Sequence, residues 1–489
     1  MFEIRSLKIS LAVKNVFLLI SALVIALVFC YINPFSLDEK ASLVLSIATL
    51  MIFLWVTEAI PMPIVAILPL ILFPLLKIST LEETSRSYAN PVIFLFFGGF
   101  ILGLAIEKWN LHKRIALNII KKTGTGGDKI VLGFILATGL LSMWLSNTAT
   151  TMMMYPIALS VIAVISQNQQ QNANYAYFNL TIMLSIAYAS NIGGIATIIG
   201  TPPNVAFIGY FQNKYGMDVD FMRWMMLCTP ISILLLIALY LVMVKWLYPS
   251  HIKSDQVSEN LMNLKVKELG PMTLPEKRVL LVFLCTAGLW VFRSLINSVQ
   301  SAVKLDDTII AVIAAVVLFI IPSGDKNTGE NETAILEWSD TGRMAWGILL
   351  LFGGGICLAE TLENAGLIQI LGVWLSGNTT NIFILIAMIT ILSIFISEVM
   401  SNVAQVIVFA PVVSSMADSM NINPLLLGIP MTLAASCAGM LPMGTPPNAI
   451  VFASNHIKMK DMIKVGFIMN LIAIGLITLF TWYLVPIIF

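Results

Sequence analysis

Apolar runs long enough to cross a bilayer recur along nearly the whole chain, and no other feature limits its fold so severely. Hydrocarbon offers no water to a peptide N–H or C=O, so a segment inside it must satisfy its backbone internally. Continuous runs of about 20 apolar residues do this as helices. The runs predict spanning or re-entrant segments near 15–33, 41–60, 63–76, 91–110, 130–165, 176–210, 224–248, 277–297, 308–322, 344–366, 382–416, 423–454 and 463–488. The expected class is an all-α polytopic membrane protein. Only 11% of the 489 residues are charged, less than half the usual share of about a quarter in a soluble domain. These charges gather between the runs, where loops at a lipid surface need them. A net charge of +1 makes no case for nucleic acid.

The run from about Val13 to Phe29 follows Arg5, Lys8 and Lys14, and no small-residue cleavage site follows it before the next run. It reads as a retained first helix, within an N-terminal unit 1–40, with its N-terminus in the cytoplasm. Two polar stretches interrupt the apolar pattern. One is the Gln/Asn run Gln167 to Asn174; the other, His251 to Glu276, carries Lys253, Lys265 and Lys267. The second is too polar to insert and reads as a cytoplasmic linker, 251–276, between units 41–250 and 277–489. Cys30, Cys228, Cys285, Cys357 and Cys437 lie in or beside apolar runs without metal-ligand spacing. They read as small hydrophobes and not as disulfides.

The two units resemble each other. Leu54-Trp55-Val56 recurs as Leu289-Trp290-Val291, and Phe97-Gly98-Gly99 as Phe352-Gly353-Gly354. Ser146-Asn147-Thr148-Ala149 returns as Ser401-Asn402-Val403-Ala404, and Pro156 as Pro411. Gly200-Thr201-Pro202-Pro203-Asn204 returns unchanged as Gly444-Thr445-Pro446-Pro447-Asn448. The Ser-Asn pair is displaced by 255 residues and the Gly-Thr-Pro-Pro-Asn pair by 244, as an inserted Gln/Asn loop in the first unit would produce. Order and spacing both survive, which marks a duplication.

Positive charge gives the orientation of the copies. Lys113, Arg114, Lys121, Lys122 and Lys129 follow the first Phe-Gly-Gly helix, whereas the matching stretch Leu367 to Asn381 has no charge. Lysine and arginine favour the cytoplasm, so these stretches face opposite sides and the repeat is inverted. Five crossings per repeat after an odd first helix agree and leave the C-terminus outside. The basic stretches Lys253 to Arg278 and Lys458 to Lys464 then fall inside, as does the mainly acidic loop 323–343. Inverted repeats are a transporter architecture.

Each Ser-Asn tip lies inside an apolar segment too long for one ordinary span, which suits a hairpin that enters the membrane and turns back. Backbone at such a turn needs protein, water or ligand as a partner. Serine, asparagine and threonine supply small oxygen ligands there, although one such tripeptide is also what binds a neighbouring helix. In Gly-Thr-Pro-Pro-Asn the prolines remove two amide donors and bias the preceding residues away from helix. A helix carrying it must unwind, exposing carbonyls that suit Na⁺ and amides that suit a carboxylate. A kinked structural helix is the plainer reading of one copy. Two copies, each after a small polar tip, favour a binding site.

With these residues in view, the chain resembles the divalent anion/sodium symporter family of di- and tricarboxylate transporters. Thr57-Glu58-Ala59-Ile60-Pro61, the two Ser-Asn tips and both Gly-Thr-Pro-Pro-Asn copies carry the resemblance, over nearly everything after the first helix. The resemblance implies a homodimer of protomers with eleven transmembrane helices and two re-entrant hairpins, working as an elevator. The family's sodium ligands map onto Ser142, Ser146, Asn147 and Gly200 for one site, and onto Ser397, Met400, Asn402 and Gly444 for the other. Its substrate contacts map onto Asn147, Thr148, Thr201, Asn402, Val403, Thr445 and Pro446. Ser142 and Ser397 each precede a tip serine by four residues, so the repeat supports that pairing independently. Val403 stands where threonine is common and Gln405 where a small hydroxyl residue is common. Stretches without site motifs, 41–76 and 277–322, form the expected scaffold and dimer contact; 91–210 and 344–454 form the expected transport parts.

The resulting expectation is secondary active transport of a C4 dicarboxylate of the succinate, fumarate and malate class across the cytoplasmic membrane, coupled to Na⁺. No lysine or arginine lies in the motifs, so Na⁺ and neutral donors must offset the substrate's charge. Sodium-independent exchange, known within the family, is the alternative, and an anion channel is the next. No Gly-x-x-x-x-Gly-Lys loop supports a pump, and no His-Glu-x-x-His or Ser/His/Asp set supports an enzyme. His112 and His251 read as loop residues, and His456 follows the last broken helix. Glu107 and Glu363 read as helix-end caps, and Glu398, beside the second tip, as a tuning or structural residue.

Overall fold

The computed structural model describes the chain apart from residues 1, 34–36, 125, 168–172, 251, 253–262, 265, 301–302, 325–332, 368–380 and 455, and apart from the side chains of 2–14, 164–167 and 173. The expectations for most of the Gln/Asn run, most of the linker, the middle of the acidic loop and the uncharged stretch after Leu367 lie outside the described residues.

The first unit runs α1 (Phe2–Ile32), α2 (Glu39–Thr57), α3 (Met62–Val65), α4 (Leu68–Leu75), α5 (Leu81–Arg86), α6 (Pro91–Lys108), α7 (Leu111–Thr123), α8 (Gly127–Ser142), α9 (Asn147–Gln167), α10 (Ala173–Gly194), α11 (Pro202–Tyr215) and α12 (Phe221–Tyr240). The second runs α13 (Leu274–Val299), α14 (Asp307–Ile320), α15 (Trp346–Asn364), α16 (Ile382–Ser397), α17 (Asn402–Ser419), α18 (Leu425–Ala435), α19 (Pro446–Phe452) and α20 (Met459–Ile488). Among the described residues the fold is helical, with one isolated bridge between Pro322 and Ala334. Among the described residues, seven helical stretches are long and apolar enough to cross a membrane: Asn15–Ile32, Glu39–Thr57, Leu81–Lys108, Phe221–Leu247, Leu274–Val299, Trp346–Asn364 and Met459–Ile488.

Local chemistry explains the boundaries. Asp38 caps α2, and Glu58 ends it in a left-handed conformation (φ 49°). Asn90 caps α6 ahead of Pro91, where a missing N–H costs nothing. Thr273 and Glu276 form a reciprocal capping box at α13, and Asp306 and Asn381 cap α14 and α16. The four segments that carry the motifs are each broken in two: 130–165 into α8 and α9, 176–210 into α10 and α11, 382–416 into α16 and α17, and 423–454 into α18 and α19. The succession of long, short, long and broken helices in the first unit thus repeats in the second.

The units interlock. The Phe-Gly-Gly helix of each packs on the short apolar helices of the other, α6 on α14 and α15 on α3 and α4. A Cβ on Gly98 would stand 2.6 Å from the Ala311 backbone, and one on Gly354 would strike the Ala66 carbonyl. Only glycine permits these approaches. That is why Gly98 and Gly354 are glycines. Few of the described side chains of α1 (15–32) are buried, whereas α10 is buried from Leu180 onward, α11 from Pro203 to Phe211 and α18 throughout.

His112 departs from the loop expectation. It is the second residue of α7, it is 2% exposed, and its Nδ1 lies 3.0 Å from the Ile106 carbonyl. Asn110, in a left-handed turn (φ 55°), folds α7 back so that one face turns inward while Lys113, Lys121 and Lys122 stay exposed. Of the cysteines, Cys228 and Cys357 are buried, Cys30 and Cys437 half-buried and Cys285 exposed, all as free thiols.

Candidate functional site

The tips form where α8 and α16 stop. Ser142, the last residue of α8, is fully buried and lies 2.7 Å from the Ser190 carbonyl and 2.8 Å from Asn147 Oδ1. Ser397, the last residue of α16, is fully buried too, and lies against the Ala435 carbonyl and 2.7 Å from Asn402 Oδ1. Residues 143–146 and 398–401 are the turns, and Asn147 and Asn402 open the returning helices. Ser146 Oγ accepts from Ala149 N at 3.3 Å, capping α9. Met400 lies in the second turn.

The Gly-Thr-Pro-Pro-Asn copies form matching breaks. Helix stops at Gly194 and Ala435 and restarts on the proline pairs, so neither copy is a kink in a continuous helix. Thr201 and Thr445 hold nearly the same extended backbone (φ −144°, ψ 139° and φ −145°, ψ 150°). The motif asparagines, wholly buried, hold the open loops. Asn204 Nδ2 donates to the carbonyl of Thr197 at 2.8 Å, and Asn448 Nδ2 to those of Leu441 and Ala438 at 3.1 and 3.2 Å. These bonds give carbonyls of both breaks a partner without helix.

Asn147 shows what such a cluster can hold. A serine hydroxyl has one hydrogen, so Ser142 satisfies one acceptor at a time. With its amide nitrogen turned towards them, Asn147 has three acceptors within reach of its two hydrogens, Ser190 O at 3.0 Å, Ser142 Oγ at 2.8 Å and Gly200 O at 3.3 Å. Turned the other way, Oδ1 joins those three oxygens in one cluster. The first arrangement satisfies the amide within the protein, and the second would offer a cation a set of neutral oxygens. Neutral hydroxyl, amide and carbonyl oxygens suit a hard ion such as Na⁺, and among the described residues no group of three His, Cys, Asp or Glu offers a transition-metal site.

Cross-packing draws the copies together. Helix α9 packs on α19, and α17 on α11, so each returning helix lies on the half-helix of the other unit. Asn191 Nδ2 donates to Thr445 Oγ1 at 3.0 Å, one residue from the Ser190 carbonyl of the first cluster. Thr201 and Thr445 are buried at the helix starts, Thr148 and Val403 half-buried just inside α9 and α17, and Pro446 exposed. Gly444, buried, donates its N–H to Leu441 O at 3.2 Å. Gln405 turns from the tip and donates to Ser393 O and Oγ at 2.8 and 2.6 Å, tying α17 to α16.

Sequence reasoning missed Ser190 and Asn191. The signal was thin: small or amide side chains within the apolar run of α10. A cavity of about 350 Å³ lies elsewhere, between α6, α11, α13 and α14. Its buried cation Arg293 is already paired, 2.7 Å from Asp218 and 3.3 Å from Asp307. The motif clusters, not this cavity, are the candidate site.

A helical membrane protein with paired broken helices and hairpin tips of neutral oxygens is built as a transporter of small ions and solutes. The sodium:sulfate symporter transmembrane region matches residues 12–489, and the chain belongs to the divalent anion/sodium symporter family, a family of transporters rather than enzymes. A sodium-dependent dicarboxylate transporter, SdcS, of Staphylococcus saprophyticus is 38% identical over 474 residues, covering 96% of this chain and 91% of that one. SdcS of Staphylococcus aureus strain USA300 is 39% identical over 476 residues, with the same coverage of 96% and 91%. Among solved structures, the YdaH transporter of Alcanivorax borkumensis aligns with a TM-score of 0.57 at 15% identity, covering 83% of this chain and 87% of its own. MtrF of Neisseria gonorrhoeae aligns at 0.53 and 12%, covering 83% and 84%. These last two are similar in fold.

Proposed function

We propose that this protein carries C4 dicarboxylates of the succinate, fumarate and malate class across the cytoplasmic membrane together with Na⁺. The observation that carries the reading is the pair of matching clusters, Ser142–Asn147–Ser190–Gly200 and Ser397–Asn402–Ala435, each beside a Gly-Thr-Pro-Pro-Asn break. The sodium-dependent dicarboxylate transport named for the SdcS relatives supports both the ion and the substrate class. In this reading Ser142, Ser146, Asn147 and Gly200 hold one Na⁺, and Ser397, Met400, Asn402 and Gly444 the other. Asn147, Thr148, Thr201, Asn402, Val403, Thr445 and Pro446 face the substrate, whose two charges the ions offset.

The movement is an elevator within a homodimer of eleven-helix protomers with two re-entrant hairpins, the N-terminus inside and the C-terminus outside. The scaffold contains 41–76 and 277–322, and the moving parts lie within 91–210 and 344–454. The close glycine contacts of α6 on α14 and of α15 on α3 and α4 support drawing the moving boundary after α6 and α15. Purified protein in liposomes tests the reading. Uptake of labelled succinate into vesicles without internal dicarboxylate should rise steeply with external Na⁺ and vanish when choline replaces it. Uptake that ignores Na⁺ and requires internal dicarboxylate would replace symport by exchange.

A further inference from the structure

The two Gly-Thr-Pro-Pro-Asn breaks are alike in backbone but differ in how their threonine hydroxyls are held. Thr445 Oγ1, in a buried residue, accepts from Asn191 Nδ2 at 3.0 Å and from Asn448 N at 3.4 Å. Thr201 makes no such cap bond with its hydroxyl, and Asn204 N donates instead to the Thr201 carbonyl at 3.2 Å. The difference traces to one position. Ser190 and Ala435 present equivalent carbonyls to Ser142 and Ser397, so Asn191 and Ser436, each next in the chain, take equivalent places. Ser436 is buried, and among the described residues its Oγ has no hydrogen-bond partner. A serine has one hydrogen and a shorter reach, so it cannot supply the two donors of an asparagine amide.

The bonds around Asn191 have a fixed polarity. Asn448 Nδ2 donates to Ala438 O and to Leu441 O. Carbonyl oxygens only accept, so the Asn448 amide cannot turn round, and its Oδ1 faces Asn191 Nδ2 at 3.4 Å. That oxygen also only accepts, which holds the Asn191 amide with its nitrogen towards Asn448 and Thr445. Its two hydrogens thus meet two acceptors. A threonine hydroxyl has two lone pairs and one hydrogen. Asn191 Nδ2 and Asn448 N take up the lone pairs, and among the described residues no acceptor takes the hydrogen. Two backbone carbonyls, acting through two buried asparagines, leave Thr445 able only to donate.

We infer that Asn191 is a positioning residue that commits the Thr445 hydroxyl to donate to a substrate carboxylate. The inference rests on the proposed function, in which Thr445 faces the substrate. A hydroxyl with open lone pairs turns to donate or to accept. One whose lone pairs are filled can only donate, and an ionised carboxylate can only accept. The first break lacks the device, so its Thr201 is not committed in this way. The polarity of the second break is therefore set from the first unit, by a residue 254 positions away in the chain.

Calorimetric titration of purified protein with succinate, in saturating Na⁺, tests this. Asn191→Leu keeps the volume and removes the amide. It should weaken succinate binding by about tenfold or more, the loss expected for a hydrogen bond to a charged group. Thr445→Val should weaken it by at least as much, and Thr445→Ser should recover most of what valine loses. The deciding measurement is the double variant. Because the amide acts through the hydroxyl, Asn191→Leu combined with Thr445→Val should bind about as weakly as Thr445→Val alone. A merely structural Asn191 would add its full loss to that of Thr445→Val, and additivity overturns the inference. Wild-type affinity in a folded Asn191→Leu or Thr445→Val protein overturns it too. Should Asn191→Leu not fold, Asn191→Ser, which places in this position the residue found at 436, enters the same cycle with the same expected losses. If the wild-type protein binds no succinate, the proposed function fails and the inference falls with it.

Discussion

At the scale of residues, the tip asparagines carry the strongest prediction. Asn147 belongs to a cluster with Ser142, Ser190 and Gly200, and Asn402 to one with Ser397, both against buried backbone carbonyls. Removing one such amide leaves buried partners unpaired at a cost of about 1–3 kcal/mol. Asn147→Ala and Asn402→Ala should each lower succinate uptake to near background while the purified proteins keep their α-helical circular dichroism. Uptake at the wild-type rate in either variant would remove that asparagine from the site. Both asparagines were legible in the sequence because each recurs at a fixed offset. Ser190 was not, because it takes part through its backbone carbonyl, and no residue type announces that.

At the scale of elements, the paired glycines predict a contrast. Gly98→Ala pushes a methyl into the Ala311 backbone, which cannot yield as a side chain would. Overpacking of this kind costs about 1–3 kcal/mol. Gly288, in α13, has open space where its Cβ would go, and alanine there gains up to about 1 kcal/mol of helix propensity. Thermal unfolding in detergent should therefore fall for Gly98→Ala and hold or rise for Gly288→Ala. Equal midpoints would contradict the α6–α14 contact.

Helix α7 adds a pH dependence. Burial lowers the His112 pKa to about 4, against the opposing hydrogen bond to Ile106 and with a smaller contribution from Lys113. The unfolded chain binds a proton as pH falls through about 6.5 and the folded chain does not until about 4. His112 thus favours the folded state fully above about 6.5, and this advantage is lost as pH falls towards 4. His112→Gln should flatten the decline of the unfolding midpoint across that window. An unchanged slope would show that another group dominates acid destabilisation.

For the whole molecule, the proposed movement makes its own demand. The motif-bearing helices pack across units, α9 on α19 and α17 on α11, so both tips and both breaks should travel as one body. In a background without the five native cysteines, a disulfide between that body and 41–76 or 277–322 should stop uptake, and reduction should restore it. A crosslink between copies of 41–76 across the dimer should not. Full uptake with the two parts locked would replace the moving body by a local gate at the tips.

Much of this is legible in the amino-acid sequence. The apolar runs determined a helical membrane protein, since hydrocarbon satisfies no backbone polar group. The duplicated Ser-Asn and Gly-Thr-Pro-Pro-Asn motifs determined where the helices break, because consecutive prolines start a helix but cannot continue one. Tertiary structure alone decided what each break touches. The Asn191–Thr445 bond joins residues 254 apart, and the interlocking of α6 with α14 rests on an approach that only folded coordinates reveal. It also decided the meaning of Glu398. In the sequence it is one acid beside a tip; in the fold it accepts from three consecutive backbone amides and Asn470, groups whose convergence no local pattern encodes.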